Sequence, residues 1–108
     1  MISRPGEIWL AEIPFTNGQA SKIRPVLVLW LDAHDAVVAT VTSAPPRSAS
    51  DAALADWQAA GLRVASTVRL SRLDCLEQIL LRKKLGVLSL NDSQKIKQTW
   101  ANQIRLQF

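Results

Sequence analysis

The chain has 108 residues, of which 48% are hydrophobic and only four are glycine. This length fits one domain spanning residues 1–108, and the apolar content suits a packed core, which excludes a largely disordered chain. Thirteen Lys and Arg against nine Asp and Glu give a net charge of +4, which favours a polyanionic partner but also fits a solvated basic surface.

The sequence predicts neither a membrane-spanning segment nor export. Its apolar runs, such as residues 26–31, are far shorter than the roughly 20 residues needed to cross a bilayer. The residues before Gly6 hold no apolar stretch of signal-peptide length. Cys75 is the only cysteine, so a disulfide within the chain is impossible and an oxidising compartment is not needed. We therefore expect a cytoplasmic protein.

The first half of the chain predicts strands separated by turns. Apolar and β-branched patterns predict three strands, over residues 6–13, 23–31 and 36–43. Residues 14–22 are rich in turn formers and predict an exposed loop, and residues 32–35 predict a tight turn. The double proline in residues 44–50 excludes both a helix and a central strand there.

The second half predicts shorter strands and a closing helix. At least one helical turn is expected in residues 51–61, then strands over 64–70 and 85–88, with a short strand or helical turn within 71–84. Ser89 and Asp92 form a variant of the capping box, and Ile96, Trp100 and Ile104 follow on one helical stripe. The predicted fold class is mostly β with a C-terminal helix, a small α+β domain or partly open barrel.

One cross-strand pair is a candidate site. If the second and third strands pair across a turn centred near Ala33, Arg24 lies opposite Thr42. Directly opposed residues have Cβ atoms roughly 4.5–5.5 Å apart, so a guanidinium and a hydroxyl would meet where the loops at 14–22 and 44–50 also converge. On spacing alone, an ordinary arginine beside a strand threonine is the favoured interpretation.

The order of four short motifs resembles the MazF/PemK toxins over nearly the whole chain. The motifs are Pro5-Gly6-Glu7-Ile8-Trp9, Lys22-Ile23-Arg24-Pro25-Val26-Leu27-Val28, Val38-Ala39-Thr40-Val41-Thr42-Ser43, and the run from Val68-Arg69-Leu70 to Leu88-Ser89. The resemblance implies a small CcdB/MazF-like β-barrel that forms a homodimer. It also implies a toxin of a type II toxin-antitoxin system, an mRNA-cutting endoribonuclease held in check by an acidic antitoxin.

The resemblance further implies a reaction and its residues. Single-stranded RNA would be cut by attack of a 2′-hydroxyl on its own phosphate, with Arg24 and Thr42 as catalytic residues. The implied substrate-binding residues are Ser43, Arg69, Ser71, Gln19 and Lys22. No cofactor is implied, and the chain shows no carboxylate pair or His/Cys cluster at metal-ligand spacing, which disfavours metal catalysis.

One position departs from the family pattern. Some relatives carry an acidic residue two positions after the basic residue that matches Arg69, and here that position is Ser71. Cleavage could then be slower or absent, or use another proton acceptor such as Glu7 or His34. Two alternatives therefore stay open: a non-catalytic toxin on the same scaffold, like the gyrase-poisoning CcdB, and a nucleic-acid-binding module.

The four tryptophans could stack on RNA bases, but tryptophan more often packs in a core or an interface. Trp100 lies on the helix stripe and is expected in the core. Only Trp57 is expected at the surface, where it could contact a base.

Overall fold

The computed structural model describes residues 2–108 and shows six strands followed by one helix. The elements are β1 (Glu7–Pro14), β2 (Ser21–Asp32), β3 (Asp35–Thr42), β4 (Asp51–Ala53), β5 (Thr67–Glu77), β6 (Leu81–Val87) and α1 (Leu90–Gln103), with a 3₁₀ turn at Gln78–Leu80 between β5 and β6. The predicted class, mostly β with a C-terminal helix, is confirmed.

The strands form one antiparallel sheet in the order β4-β5-β3-β2-β1-β6. The small β-barrel that the resemblance implies is not closed here, because within residues 2–108 the edge strands β4 and β6 do not pair with each other. The chain after β4 instead brings Ala60 and Gly61 against Leu85 and Gly86. A Cβ on either glycine would overlap the backbone of the other segment. Backbone packing, rather than a hydrogen-bonded ladder, therefore fills this gap.

The sheet buries side chains on both of its faces. Successive residues of a strand point to opposite faces, and the neighbours Ile8 and Trp9 are both almost fully buried. The cluster on the helix face contains Ile8, Leu27, Ala39, Val41, Val68, Leu70 and Ile96 of α1. The cluster on the far face contains Trp9, Ala11, Val26, Val28, Val38, Leu76 and Leu81.

Helix α1 starts where the capping box predicted. Ser89 is the N-cap, and its side chain accepts a hydrogen bond from the Asp92 N–H at 3.1 Å. Ile96 is buried, while Trp100 and Ile104 pack partly against the helix-face cluster, so the predicted stripe docks on the sheet. Within residues 2–108, no helix is long and apolar enough to cross a membrane.

Several predicted boundaries in the second half are wrong. Residues 51–61 begin with the unpredicted strand β4. The expected helical turn follows it, with bonds from the Ala60 N–H to the Asp56 carbonyl at 3.2 Å and from the Gly61 N–H to the Gln58 carbonyl at 3.0 Å. Pairing of β4 with β5 outweighs the helix propensity of this segment. Strands β5 and β6 are also longer than predicted. Residues 71–75 are all exposed, so that part of β5 carries no apolar pattern.

The predicted loop between the first two strands is shorter than expected. Pro14 belongs to β1, and Ser21 and Lys22 belong to β2. The turn is confined to residues 15–20 and is closed by a 2.8 Å bond from the Phe15 N–H to the Ala20 carbonyl.

Candidate functional site

The β2–β3 hairpin brings Arg24 and Thr42 to the same end of the sheet. Its ladder pairs Val26 with Thr40, and the same register, continued by two residues, places Arg24 opposite Thr42. Both side chains line one pocket. The hairpin turns at Ala33, whose φ of 53° is the left-handed conformation that two-residue hairpin turns require.

A single row of cross-strand partners contains two residues of this pocket, Thr40 and Arg69. Trp9 pairs with Val26, Val26 with Thr40, Thr40 with Arg69, and Arg69 with Asp51. Directly opposed residues project from the same face of a sheet. Since Trp9 and Val26 are core residues of the far face, the pocket lies on the far face, away from α1.

The pocket is polar and has a volume of about 210 Å³. It is lined by Arg24, Thr40, Thr42, Ala44, Pro45, Arg47, Arg69 and Arg72. The four arginines come from β2, from the loop after β3 and from β5. Their side chains concentrate positive charge at one place on the molecule, which is suited to binding an anion.

The buried carboxylate of Asp51 accepts hydrogen bonds from two of the arginines. Asp51 Oδ1 accepts a hydrogen bond from Arg69 Nε at 3.4 Å, and Asp51 Oδ2 accepts one from the Arg47 backbone N–H at 2.9 Å. The Asp51 side chain is only 1% exposed, so it positions its neighbours without reaching the pocket. Among residues 2–108, the guanidiniums of Arg24, Arg47 and Arg72 have no ion-pair partner.

The hydroxyl of Thr42 is oriented by the chain that follows it. Its Oγ1 accepts a hydrogen bond from the Ala44 N–H at 3.2 Å. The hydroxyl proton is then available for donation, because the N–H occupies an acceptor position on the oxygen. Thr42 and the half-buried Arg24 thus offer a neutral donor and a charged donor side by side.

Residues 4–104 match the model of the PemK-like, MazF-like toxins of type II toxin-antitoxin systems. The chain belongs to this family. The resemblance seen in the four sequence motifs is therefore confirmed. No curated protein matches the chain in sequence.

Solved structures share the fold of this family member. An endoribonuclease from Mycobacterial species, in complex with its cognate antitoxin, has a TM-score of 0.74 at 15% identity over 94% of this chain and 93% of that one. The Mycobacterium tuberculosis toxin MazF-mt6 has a TM-score of 0.70 at 20% identity, covering 89% and 93%. The MazE-MazF complex from Deinococcus radiodurans has a TM-score of 0.67 at 19% identity, covering 94% of each chain.

Four of the five implied substrate-binding residues of this MazF-like chain do not line the pocket. Arg69 is there, whereas Ser43, Ser71, Gln19 and Lys22 are all exposed outside its wall. Ser43 and Ser71 each directly adjoin a lining residue in the chain. Gln19 lies in the β1–β2 turn, where its N–H bonds Asn17 Oδ1 at 3.0 Å. Lys22 pairs with Ile13 near the start of β2.

The two alternative proton acceptors also lie elsewhere. Glu7 is buried, and its carboxylate accepts hydrogen bonds from the Arg4 N–H and Trp9 Nε1 and pairs with Lys84. His34 lies in the turn at the opposite end of the β2–β3 hairpin. Neither side chain lines the pocket. Within residues 2–108, no three His, Cys, Asp or Glu side chains gather in a way that could hold a metal ion.

Sequence reasoning missed Arg47, Arg72 and Asp51. In β5, Arg69 pairs with Thr40 but Leu73 pairs with the next β3 residue, Ala39, so three residues bulge between them. In a regular strand, positions 69 and 72 would face opposite sides of the sheet. The bulge redirects the chain and brings both arginines to one pocket.

The tryptophans are placed differently from the expectation. Trp57 is half-buried and packs against the helix-face cluster. Trp30 is the more exposed ring, at 43%, and meets Trp100 edge-on with ring centroids 5.8 Å apart. Neither Trp30 nor Trp57 lines the arginine pocket, so base stacking at that pocket is not supplied by a tryptophan of this chain.

Proposed function

We propose that this toxin is an endoribonuclease that cuts single-stranded RNA, including messenger RNA, in the cytoplasm without a metal ion. The observation that carries the proposal is the pocket in which Arg24 and Thr42 meet three further arginines. A guanidinium matches the geometry and charge of a phosphate group, and it stays protonated at any physiological pH. The likeness to structures described as endoribonucleases supports the same activity.

The proposed reaction is an attack of the 2′-oxygen on the adjacent phosphorus. The bond from phosphorus to the 5′-oxygen breaks, leaving a 2′,3′-cyclic phosphate on one product and a 5′-hydroxyl on the other. The attacking hydroxyl loses a proton and the leaving oxygen gains one. Arg24 stabilises the negative charge that develops on the phosphoryl oxygens, and Thr42 donates a hydrogen bond to one of them.

The residues that line the pocket are well suited to binding a phosphate group but poorly suited to accepting a proton. The charged groups that line the pocket are all arginines, and a guanidinium holds its proton too firmly to serve as a good proton acceptor. Asp51 is enclosed behind Arg69. We therefore propose that solvent water accepts the 2′-hydroxyl proton. General acid–base catalysis contributes roughly 10²–10⁴-fold in enzymes, so cleavage should be slower than in a relative that carries an acid here.

We also propose two protein partners for the toxin. An acidic, extended antitoxin segment would place carboxylates against the arginines of the pocket and so compete with RNA. Structural neighbours that were solved with an antitoxin support this partner. A second copy of the chain would form a homodimer, because a domain of this size buries only a modest core.

The first experiment incubates the purified protein, in EDTA, with a single-stranded RNA library and its all-deoxy counterpart. We expect RNA alone to be cut, and Arg24→Ala to lower the rate by about 10²–10³-fold, the typical cost of removing one donor to a developing oxyanion. Arg105→Ala is the matched control, because this exposed arginine follows α1 and lies outside the pocket.

Each other result has a definite meaning. Intact RNA with a folded protein would overturn the nuclease proposal and favour the non-catalytic toxin. Cutting of the all-deoxy library would contradict attack by a 2′-hydroxyl. Cutting that needs an added divalent ion would contradict the metal-free reaction.

A further inference from the structure

We propose that Arg47 and Arg72 form a second phosphate subsite, which holds the RNA phosphate next to the one held by Arg24 and Thr42. This inference rests on the proposed ribonuclease function and adds to it a contact outside the reacting group. It concerns how the RNA backbone is bound and positioned. Arg47 and Arg72 take no part in bond breaking.

The arginines of the pocket come from separate elements of the fold. The pocket has a volume of about 210 Å³ and is open to solvent on one side. Arg24 reaches it from β2, Arg47 from the loop after β3 and Arg72 from β5. Donors that come from separate elements can contact more than one phosphate group.

The charge of the pocket points the same way. Four arginines line it, and Arg69 is paired with the buried Asp51. Three unpaired guanidiniums therefore remain, and a bound anion lowers their mutual repulsion. One phosphodiester carries a single negative charge. Once Arg24 has engaged the scissile phosphate, Arg47 and Arg72 still present two uncompensated charges.

The positions of the arginines separate the two subsites. Strand β3 lies between β2, which carries Arg24, and β5, which carries Arg72. Two spacings of about 4.8 Å put the strand backbones roughly 10 Å apart. Arg47 approaches from the loop after β3, which Asp51 fixes through the Arg47 N–H at 2.9 Å. The arrangement suits consecutive phosphates of one strand better than a single group contacted from all sides.

The test is a cycle that combines protein variants with a modified substrate. A single uncharged methylphosphonate replaces the phosphate immediately on one side of the cleavage site, and then the other, in an RNA that the protein cuts. At the side that occupies the subsite, we expect kcat/KM of the unaltered protein to fall about tenfold. Arg72→Ala and Arg47→Ala should each lower kcat/KM on normal RNA similarly, and the methylphosphonate should then cost little more.

Arg105→Ala is the control, and with it the methylphosphonate should cost the full tenfold. Arg47 and Arg72 are both exposed, so their loss should not unfold the protein, and circular dichroism checks this. The subsite would be overturned if the methylphosphonate lowered kcat/KM by the same factor in both arginine variants as in the unaltered protein, at both neighbouring phosphates. The nuclease proposal would still stand in that case.

The same combinations of protein variant and substrate are also compared by their binding affinity, with an uncleavable 2′-deoxy version of the RNA. In this binding assay the methylphosphonate is placed at each phosphate of the RNA in turn, so no cleavage site has to be known. Coupling between one of these positions and the two arginines supports the subsite even if no RNA is cut. An affinity that ignores the methylphosphonate at every position overturns it. Failure of cleavage and failure of the subsite are thereby distinguished.

Discussion

The Glu7 carboxylate makes three polar contacts at the start of β1. Its Oε1 accepts hydrogen bonds from the Arg4 N–H at 2.7 Å and from Trp9 Nε1 at 3.0 Å, and its Oε2 lies 2.9 Å from Lys84 Nζ. Burial raises the pKa of Glu7, but the bonds from Lys84, Trp9 and Arg4 together outweigh burial and hold the pKa below its ordinary value of 4.5. The ionised carboxylate therefore contributes stability above the unfolded-state pKa, and this stability is lost as the pH falls through the lower, folded-state pKa.

We expect Glu7→Gln to lower the free energy of unfolding by roughly 1–3 kcal/mol at neutral pH, because it removes the charged acceptor of three bonds. The difference from the unaltered protein should shrink as the pH falls through the lowered, folded-state pKa of Glu7, because the carboxylate is then protonated. Urea denaturation over a series of pH values measures it. Glu12→Gln is the control, since its pair with Arg82 is 33% and 48% exposed and should contribute less than about 1 kcal/mol. A cost for Glu7→Gln that does not change with pH would contradict the charge-based explanation.

Some site residues are placed by contacts that are close in sequence, and others by contacts that are distant in sequence. Arg24 and Thr42 could be paired from the sequence by centring the turn on Ala33. The structure has this register because a bulge between Val28 and Trp30 offsets the two-residue turn. Arg72 could not, since its direction depends on a bulge that no local pattern marks. Asp51 was missed because its segment has helical composition but pairs with β5 instead. Prediction therefore succeeded where two neighbouring strands decide the geometry and failed where three strands do.

At the scale of elements, the helix is the clearest success of sequence reasoning. Its N-cap and apolar stripe are set by residues three and four apart, so local chemistry determines them. The open side of the sheet is set instead by a strand of only three residues, β4, and by the contact of Gly61 with Gly86. These residues are far apart in sequence, and nothing in the local pattern connects them. The sequence therefore could not show whether the expected barrel closes.

The docking of α1 depends on one buried carboxylate. Asp92 is fully buried, and it accepts hydrogen bonds from the Ala55 N–H at 2.9 Å and the Asp56 N–H at 2.8 Å. In Asp92→Asn one acceptor oxygen becomes an amino group facing an N–H, so we expect a loss of about 2–3 kcal/mol. Thermal or urea denaturation measures this loss. Asp74→Asn, on an exposed part of β5, should change stability by less than about 0.5 kcal/mol. Equal effects of the two substitutions would contradict the role given to Asp92.

At the scale of the whole molecule, one copy leaves an aromatic surface partly open. Trp30 is 43% exposed and packs edge-on against Trp100. Both rings line an apolar cleft of about 470 Å³ between β2 and α1. An exposed tryptophan beside an apolar cleft is typical of protein interfaces. This surface is therefore a candidate interface of the proposed homodimer.

We expect the protein to sediment with twice the mass of one chain, and Trp30→Glu to shift it towards the monomer. The new carboxylate would have to be desolvated in the interface, and burying an unpaired charge is strongly unfavourable. Ile79→Glu is the control, because Ile79 is 70% exposed in the 3₁₀ turn and outside this cleft. Sedimentation velocity over a concentration series measures both variants. A monomeric unaltered protein would overturn the homodimer, whereas a dimer that tolerates Trp30→Glu would place its interface away from the tryptophan pair.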